Sequence, residues 1–217
     1  MENRNGSNHE VVAALFDTTQ QAVAALEDLV AAGYDREDMN LIANDVAGEY
    51  RQYFDDEGKY IAGEKDNTTA GEGAAAGGGI GALLGGTGGV LAGLGLLAIP
   101  GIGPALAAGP IVAGLVGAGA GAVAGGLLGG LVSAGLPKES ARKYAEGVRR
   151  GGTLLLFHAD RGENTDAAYR ILRAHDPIDL DERSRRWEEG GWRDFRDDAA
   201  PLTRDEVMRE REMYRRI

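Results

Sequence analysis

Between Gly73 and Pro137 the chain holds not one Asp, Glu, Lys, Arg or His. Of the 35 glycines in 217 residues, 23 fall inside this run. Glycine loses more conformational freedom on folding than any other residue, so such a run keeps a structure only where a neighbour compensates. The glycines are also periodic. Gly73, Gly77, Gly81, Gly85, Gly89 and Gly93 recur at every fourth position, and Gly117, Gly121, Gly125 and Gly129 repeat the spacing. A period of four puts each series on one helical face. Ile99-Pro100-Gly101-Ile102-Gly103-Pro104 and Gly109-Pro110 separate the two series, and prolines there remove N–H donors and interrupt regular structure. The pattern predicts a helical hairpin with arms over about Gly73 to Ala98 and Pro110 to Ser133, turning through Pro100, Gly101, Gly103, Pro104 and Pro110.

At 1.5 Å per residue each arm would be roughly 36 to 39 Å long, enough for the roughly 30 Å of a bilayer's hydrocarbon. In water each glycine costs a helix about 1 kcal/mol relative to alanine. In lipid an unpaired backbone group is so costly that helix persists, and small residues at every fourth position let helices approach closely. The expectation is therefore a glycine-zipper hairpin inserted in a membrane and self-associating there, with a helical hairpin packed inside a soluble oligomer as the alternative. Strict spacing argues against a flexible linker. Lys138, Arg142, Lys143, Arg149 and Arg150 follow the second arm and place both hairpin ends on the cytoplasmic side. The expected location is the cytoplasmic face of the inner membrane, with the cytoplasm as the alternative; Met1 to Glu10 lacks the apolar stretch of a secretory signal.

Charge divides the rest. Residues 1–72 carry 16 acidic and 5 basic side chains, whereas 138–217 carry 18 of each. A net charge of -11 argues against coating a phosphate backbone, so nucleic acid is not an expected partner. The absence of cysteine excludes disulfide scaffolds, zinc ribbons and thiol nucleophiles.

The flanks alternate strand and helix signals. Glu10 to Phe16 is an apolar run of strand length. Thr18 and Gln21 suit a capping box before a helix in which Ala22, Val23, Leu26, Leu29 and Val30 share one face and which closes at Gly33; Asp38 to Ala43 reads as a second strand. After the uncharged run, Pro137 starts a helix with Ala141, Tyr144, Ala145 and Val148 on one face, stopping at Gly151. Thr153 to Phe157 reads as a buried strand, Asn164 caps a helix ending before Pro177, and Ile178 and Leu180 mark a last short strand. The fold class expected is α+β, a ferredoxin-like split βαβ sandwich with helices on one face of a four-stranded antiparallel sheet, interrupted by the hairpin. Its expected core comprises Val12, Ala14, Phe16, Leu26, Leu29, Leu41, Leu154, Leu156, Ile171, Leu172 and Leu180. The organisation is thus 1–43 as the first half of this domain, 44–72 as an acidic connector, 73–136 as the hairpin, 137–182 as the second half, and 183–217 as a charged tail with a terminal helix.

The opening strand-helix-strand, the run Leu96 to Pro110 with its proline-glycine tip, and Gly135-Leu136-Pro137 through Tyr144-Ala145-Glu146-Gly147-Val148-Arg149-Arg150-Gly151-Gly152 together resemble the bacterial general stress protein 17M-like family. The resemblance covers about residues 9–183. It implies a stress-associated protein that joins a small α/β domain to a glycine-zipper segment, and it supplies no catalytic residues.

Chemistry is sparse. There is no GxxxxGK[ST], GxSxG or HExxH motif, and Gly119, Gly121 and Ala124 imitate a dinucleotide loop without a preceding strand. His9, His158 and His175 lack a nucleophile or second ligand at useful spacing and read as structural. Asp176, Asp179, Asp181 and Glu182, and likewise Asp55, Asp56 and Glu57, read as solvated acidic surface. In the tail, Trp187, Trp192 and Phe195 are candidates for docking onto the parent domain or a neighbouring subunit, or for anchoring at a lipid interface, ahead of a helix capped by Thr203 and Glu206. The functional expectation is a non-enzymatic stress protein without cofactor or metal, whose partners are copies of itself and membrane lipid. The alternative is a soluble oligomeric module that senses an unidentified small molecule.

Overall fold

A computed structural model describes residues 10–46, 48, 95–99, 103–108, 126–159 and 164–215. The chain opens with strand β1 (Glu10–Phe16), helix α1 (Thr19–Ala31), a short 3-10 turn (Arg36–Asp38) and strand β2 (Met39–Asn44). Strands β3 (Gly95–Ile99) and β4 (Gly103–Ala108) lie inside the uncharged run. Helices α2 (Gly126–Ser133) and α3 (Lys138–Arg149), strand β5 (Thr153–Ala159) and helix α4 (Thr165–Arg173) follow, and the tail holds α5 (Leu180–Glu189) and α6 (Arg204–Arg215).

Local signals explain most boundaries. Thr18 and Gln21 form the reciprocal capping box of α1, satisfying two donors that the helix start leaves open. Gly33, at φ +96°, ends the helix in a conformation that costs glycine little, and the Tyr34 amide donates back to the Leu29 carbonyl. Asn164 accepts from the Ala167 amide at 3.0 Å and starts α4.

These elements make a mixed α/β fold around an antiparallel sheet of order β1-β5-β2-β4-β3. β5 runs antiparallel between β1 and β2, which are therefore parallel to one another. The β3-β4 hairpin extends the sheet beyond β2. β5 reads Thr-Leu-Leu-Leu-Phe-His-Ala, an apolar run that suits a strand covered on both faces. Leu155 and Phe157 point with Val12, Ala14, Phe16, Met39 and Leu41 into a cluster shared with Leu26, Leu29 and Leu172. Leu154 and Leu156 point the other way, with Leu15 and Ile42, against Leu127 and Leu131 of α2 and Ala141, Ala145 and Val148 of α3. Helices thus cover both faces, not one as expected. The expected core residues are distributed between the two clusters, Ile171 and Leu180 only half-buried.

The expected last strand is absent. Pro177 and Ile178 run past the β1 edge, where the Ile178 amide donates to the Leu15 carbonyl at 2.7 Å. Asp179 then caps α5, accepting from the Glu182 amide at 2.9 Å, so Leu180 begins a helix instead of continuing a strand.

The membrane hairpin is overturned as well. Among the described residues no helix is long and apolar enough to cross a membrane. The eight residues of α2, which include Gly129, reach about 12 Å at 1.5 Å per residue, well short of roughly 30 Å. Gly95–Ile99, assigned from sequence to the first helical arm and turn, is a strand. Gly103 and Pro104 open its partner instead of completing a turn between helices. Ile99 and Gly103 each precede a proline, which disfavours helix and pushes them toward extended backbone. The free edge of β2 accepts the resulting hairpin as a ladder. β3 and β4 pair as an antiparallel β-hairpin, with Ile99 opposite Gly103, while Pro100 and Gly101, assigned from sequence to the turn, lie outside the described residues. Gly73, Gly77, Gly81, Gly85, Gly89, Gly93, Gly117, Gly121, Gly125 and Pro110 lie outside the described residues, as does the connector beyond Gly48.

Candidate functional site

The end of β1, the Gly151-Gly152 loop before β5 and the Pro177-Ile178 segment meet at one end of the sheet, and the tail closes over them. Arg183, one turn into α5, donates to both carboxylate oxygens of Asp17 at 3.1 and 3.4 Å. Its guanidinium lies 3.6 Å from the ring centroid of Tyr214, carried in by α6. Arg150, at the end of α3, donates to Glu146 at 2.6 Å, pairs with Glu210 of α6 and lies 5.1 Å over Trp187. Arg211 donates to the Gly151 carbonyl at 3.0 and 3.2 Å. Glu146 itself is fully buried, and an isolated carboxylate there would be prohibitive; the guanidiniums of Arg149 and Arg150 neutralise it.

One residue of α6 is buried outright. Val207 is 0% exposed and packs where Gly151 has no side chain: a Cβ at Gly151 would fall 2.5 Å from Val207 Cγ1. Met208 and Met213 are exposed. The helix is thus held by one apolar peg and a set of charged and cation–π contacts around it.

Beneath it lies an open cleft of about 230 Å³, walled by Asp17, Asp176, Asp179, Glu182, Arg183 and Arg186 among others. The two guanidiniums are already engaged, Arg183 with Asp17 and Arg186 with Glu182 at 2.5 Å. Carboxylates outnumber them. Asp176 adopts φ +51°, a region unusual for a residue with a side chain. Burial, together with Glu210, holds the Tyr214 hydroxyl above its usual pKa against the opposing pull of Arg183, Arg150 and Arg186. Such a cleft suits a small organic cation better than an anion. Among the described residues no group of three or more His, Asp or Glu side chains is placed to hold a metal ion.

The tail aromatics sit inside the molecule. Trp187 is 3% exposed and Phe195 4%, the latter in the cluster beneath α2 and α3, while Trp192 is half-buried and stacks edge-on against Trp187 at 5.9 Å. Two of the three candidate interface anchors are therefore covered by the protein itself. The acidic tail cluster is likewise distributed: Asp179 caps α5, Glu182 pairs with Arg186, and Asp181 accepts from Lys143 at 2.8 Å, raising the lysine's pKa through that hydrogen bond. The other acidic cluster and His9 lie outside the described residues. His158 bridges elements, its ring nitrogens 3.1 Å from the Ala134 carbonyl and 3.4 Å from that of Asp38; His175 meets Asp28 at 2.8 Å.

Sequence reading did not single out Asp17, Glu146, Arg183, Glu210 or Arg211. The signal available was slight: Glu210, Arg211 and Tyr214 share the face of α6 that Val207 marks, at helical spacings of three and four.

The second site is the far edge of the sheet. The β1 edge is occupied: the Ala13 carbonyl accepts from the Tyr144 hydroxyl at 3.0 Å and the Leu15 carbonyl from Ile178. Burial raises the Tyr144 pKa to about 12, so the phenol stays a donor. At the opposite edge, no strand among the described residues pairs with the outer side of β3. Compared with protein-family models, with curated proteins and with solved structures, the chain matches none.

Proposed function

We propose that this chain is a non-enzymatic, self-assembling protein of the stress-associated type that its sequence resembles. A ferredoxin-like unit would be the folded platform, and the uncharged run the means of assembly. The ferredoxin-like reading is supported by the split βαβ arrangement of β1, α1, β2 and β5, by α1 and α4 sharing one face, and by Ile178 and Tyr144 filling the place beside β1 where a fourth strand would lie. The observation that carries the functional reading is the course of the uncharged run. It returns to the parent sheet and supplies the outermost strand among the described residues, a row of backbone donors and acceptors in a stretch of sequence without a charged residue to repel a second copy. Light scattering on the full chain across a concentration series tests it: self-association is expected, and a monomer at every concentration refutes it.

The tail cleft favours a second reading, in which a small organic cation binds among the surplus carboxylates and competes with Arg183 for Tyr214 and Asp17. Titration calorimetry with simple guanidinium and alkylammonium compounds tests that reading. Heats indistinguishable from those of an Asp17→Asn/Asp176→Asn variant would reject it.

A further inference from the structure

The direction of every backbone group in the sheet follows from two hydrogen bonds. The carbonyls of Ala13 and Leu15 accept from the Tyr144 hydroxyl and the Ile178 amide, both outside the sheet, so the odd-numbered residues of β1 turn away from β5. Along an antiparallel ladder, opposed residues alternate between bonded and non-bonded pairs. The registers carry this alternation across the sheet: Val12 bonds with Phe157, Ile42 with Leu154, Ala43 with Leu106 and Leu97 with Ala105. On β3, Gly95, Leu97 and Ile99 therefore spend their N–H and C=O groups on β4. Leu96 and Ala98 turn theirs outward. The same parity turns Pro104 away from β3, so its missing N–H costs the β3-β4 ladder nothing.

We infer that two copies of the chain join through this edge, β3 against β3 in antiparallel register about a two-fold axis at Leu97. Leu96 of one copy then pairs with Ala98 of the other, and the reverse, which makes four hydrogen bonds and one continuous sheet across the dimer. This inference rests on the self-assembly proposed above. Three observations select a second copy as the occupant. Both outward residues carry a donor and an acceptor, so the edge is complementary to itself. Within Gly95–Ile99 the register centred at Leu97 pairs both outward residues of one copy with both of the other, whereas a register shifted by one outward position pairs only one. Edge strands that stay unpaired carry charges or bulges, whereas here no charged residue occurs from Gly73 to Pro137 and the opposite edge is capped by Tyr144 and Ile178.

Ala98→Pro in the full chain is the test, because it removes an outward N–H and leaves the bonds to β4 in place. The dimer loses two of its four hydrogen bonds, and its dissociation constant should rise at least about 30-fold by light scattering. Far-ultraviolet circular dichroism and the exchange protection of β1, β2 and β5 should not change. On the unaltered chain, amide exchange gives a second reading independent of folding by the variant. Leu96 and Ala98 should gain protection with rising concentration, while Leu97 stays protected throughout. An Ala98→Pro oligomer of unchanged affinity overturns the edge and leaves self-assembly by another surface. Protection of Leu96 and Ala98 that ignores concentration overturns it in favour of a segment of the same chain, and a monomeric wild type overturns both proposals.

Discussion

Gly151 is where the tail can be released by one atom group. It sits at φ +100°, a conformation that L residues adopt at a cost of about 1 to 2 kcal/mol. A methyl there would meet Val207 Cγ1 at 2.5 Å and Arg211 Nε at 3.0 Å. Val207 is the fully buried peg of α6, and losing its burial costs about 1.5 to 3 kcal/mol. The strain lowers the stability of the turn whether or not α6 is docked, so Gly151→Ala should weaken docking of α6 by the Val207 contribution, about 1.5 to 3 kcal/mol, a shift of roughly 10- to 150-fold in the docked population. Trypsin cleavage within α6, at Arg209 or Arg211, reads the undocked fraction when opening is fast relative to cutting. Trp187, covered at 3% exposure beside Arg150, reports the same event by a red shift of its emission in a Trp192→Phe background. In Gly151→Ala/Val207→Ala the collision with Cγ1 is gone, and what remains is the backbone strain and the 3.0 Å approach to Arg211 Nε, the far end of a flexible side chain. The double variant should be no worse than Gly151→Ala alone, a non-additivity expected only if the two positions touch. Cleavage within about two-fold of wild type in Gly151→Ala, or strict additivity in the double variant, would refute the reasoning.

Three further outcomes follow from the same geometry. Glu146→Ala removes the carboxylate that Arg149 and Arg150 share, leaving, among the described residues, Arg149 without a carboxylate partner and Arg150 with Glu210 alone, so urea unfolding should show a loss of about 3 kcal/mol, with Glu146→Gln losing less. Thr18→Ala takes away the side-chain half of the capping box and should cost about 1 kcal/mol in the same assay. Tyr144 keeps its proton more tightly folded than unfolded, its pKa rising from 10.0 to about 12 through burial. Its contribution is fully present below pH 10 and is lost as pH climbs toward 12, about 2 to 3 kcal/mol in all. Tyr144→Phe should flatten that part of the alkaline stability profile, leaving the smaller fall due to Tyr169 and Tyr214, whose pKa values burial also raises.

What the amino-acid sequence settled alone were features whose partners lie within a few residues. The Thr18–Gln21 and Thr203–Glu206 boxes, the Asn164 cap and the glycine stops at Gly33 and Gly151 were all legible, because a cap is satisfied by the next turn and a positive φ by the residue itself. The apolar run of β5 announced a buried strand for the same local reason. Partners far apart in the chain decided the rest. Gly, Ala and Leu without a charge carry little distinction between helix and strand, so the open edge of β2, over fifty residues upstream, turned Gly95–Ile99 and Gly103–Ala108 into a hairpin. Ile178 and Leu180 had the composition of a strand, but one bond to Leu15 and the Asp179 cap left no ladder to join. The charged site is the extreme case: Arg150 with Glu210, Arg183 with Asp17 and Gly151 with Val207 are meetings of side chains that nothing local foretells. Only packing the tail across the sheet end brings them together, since the energy of a buried ion pair or a filled gap exists only once both partners have left water.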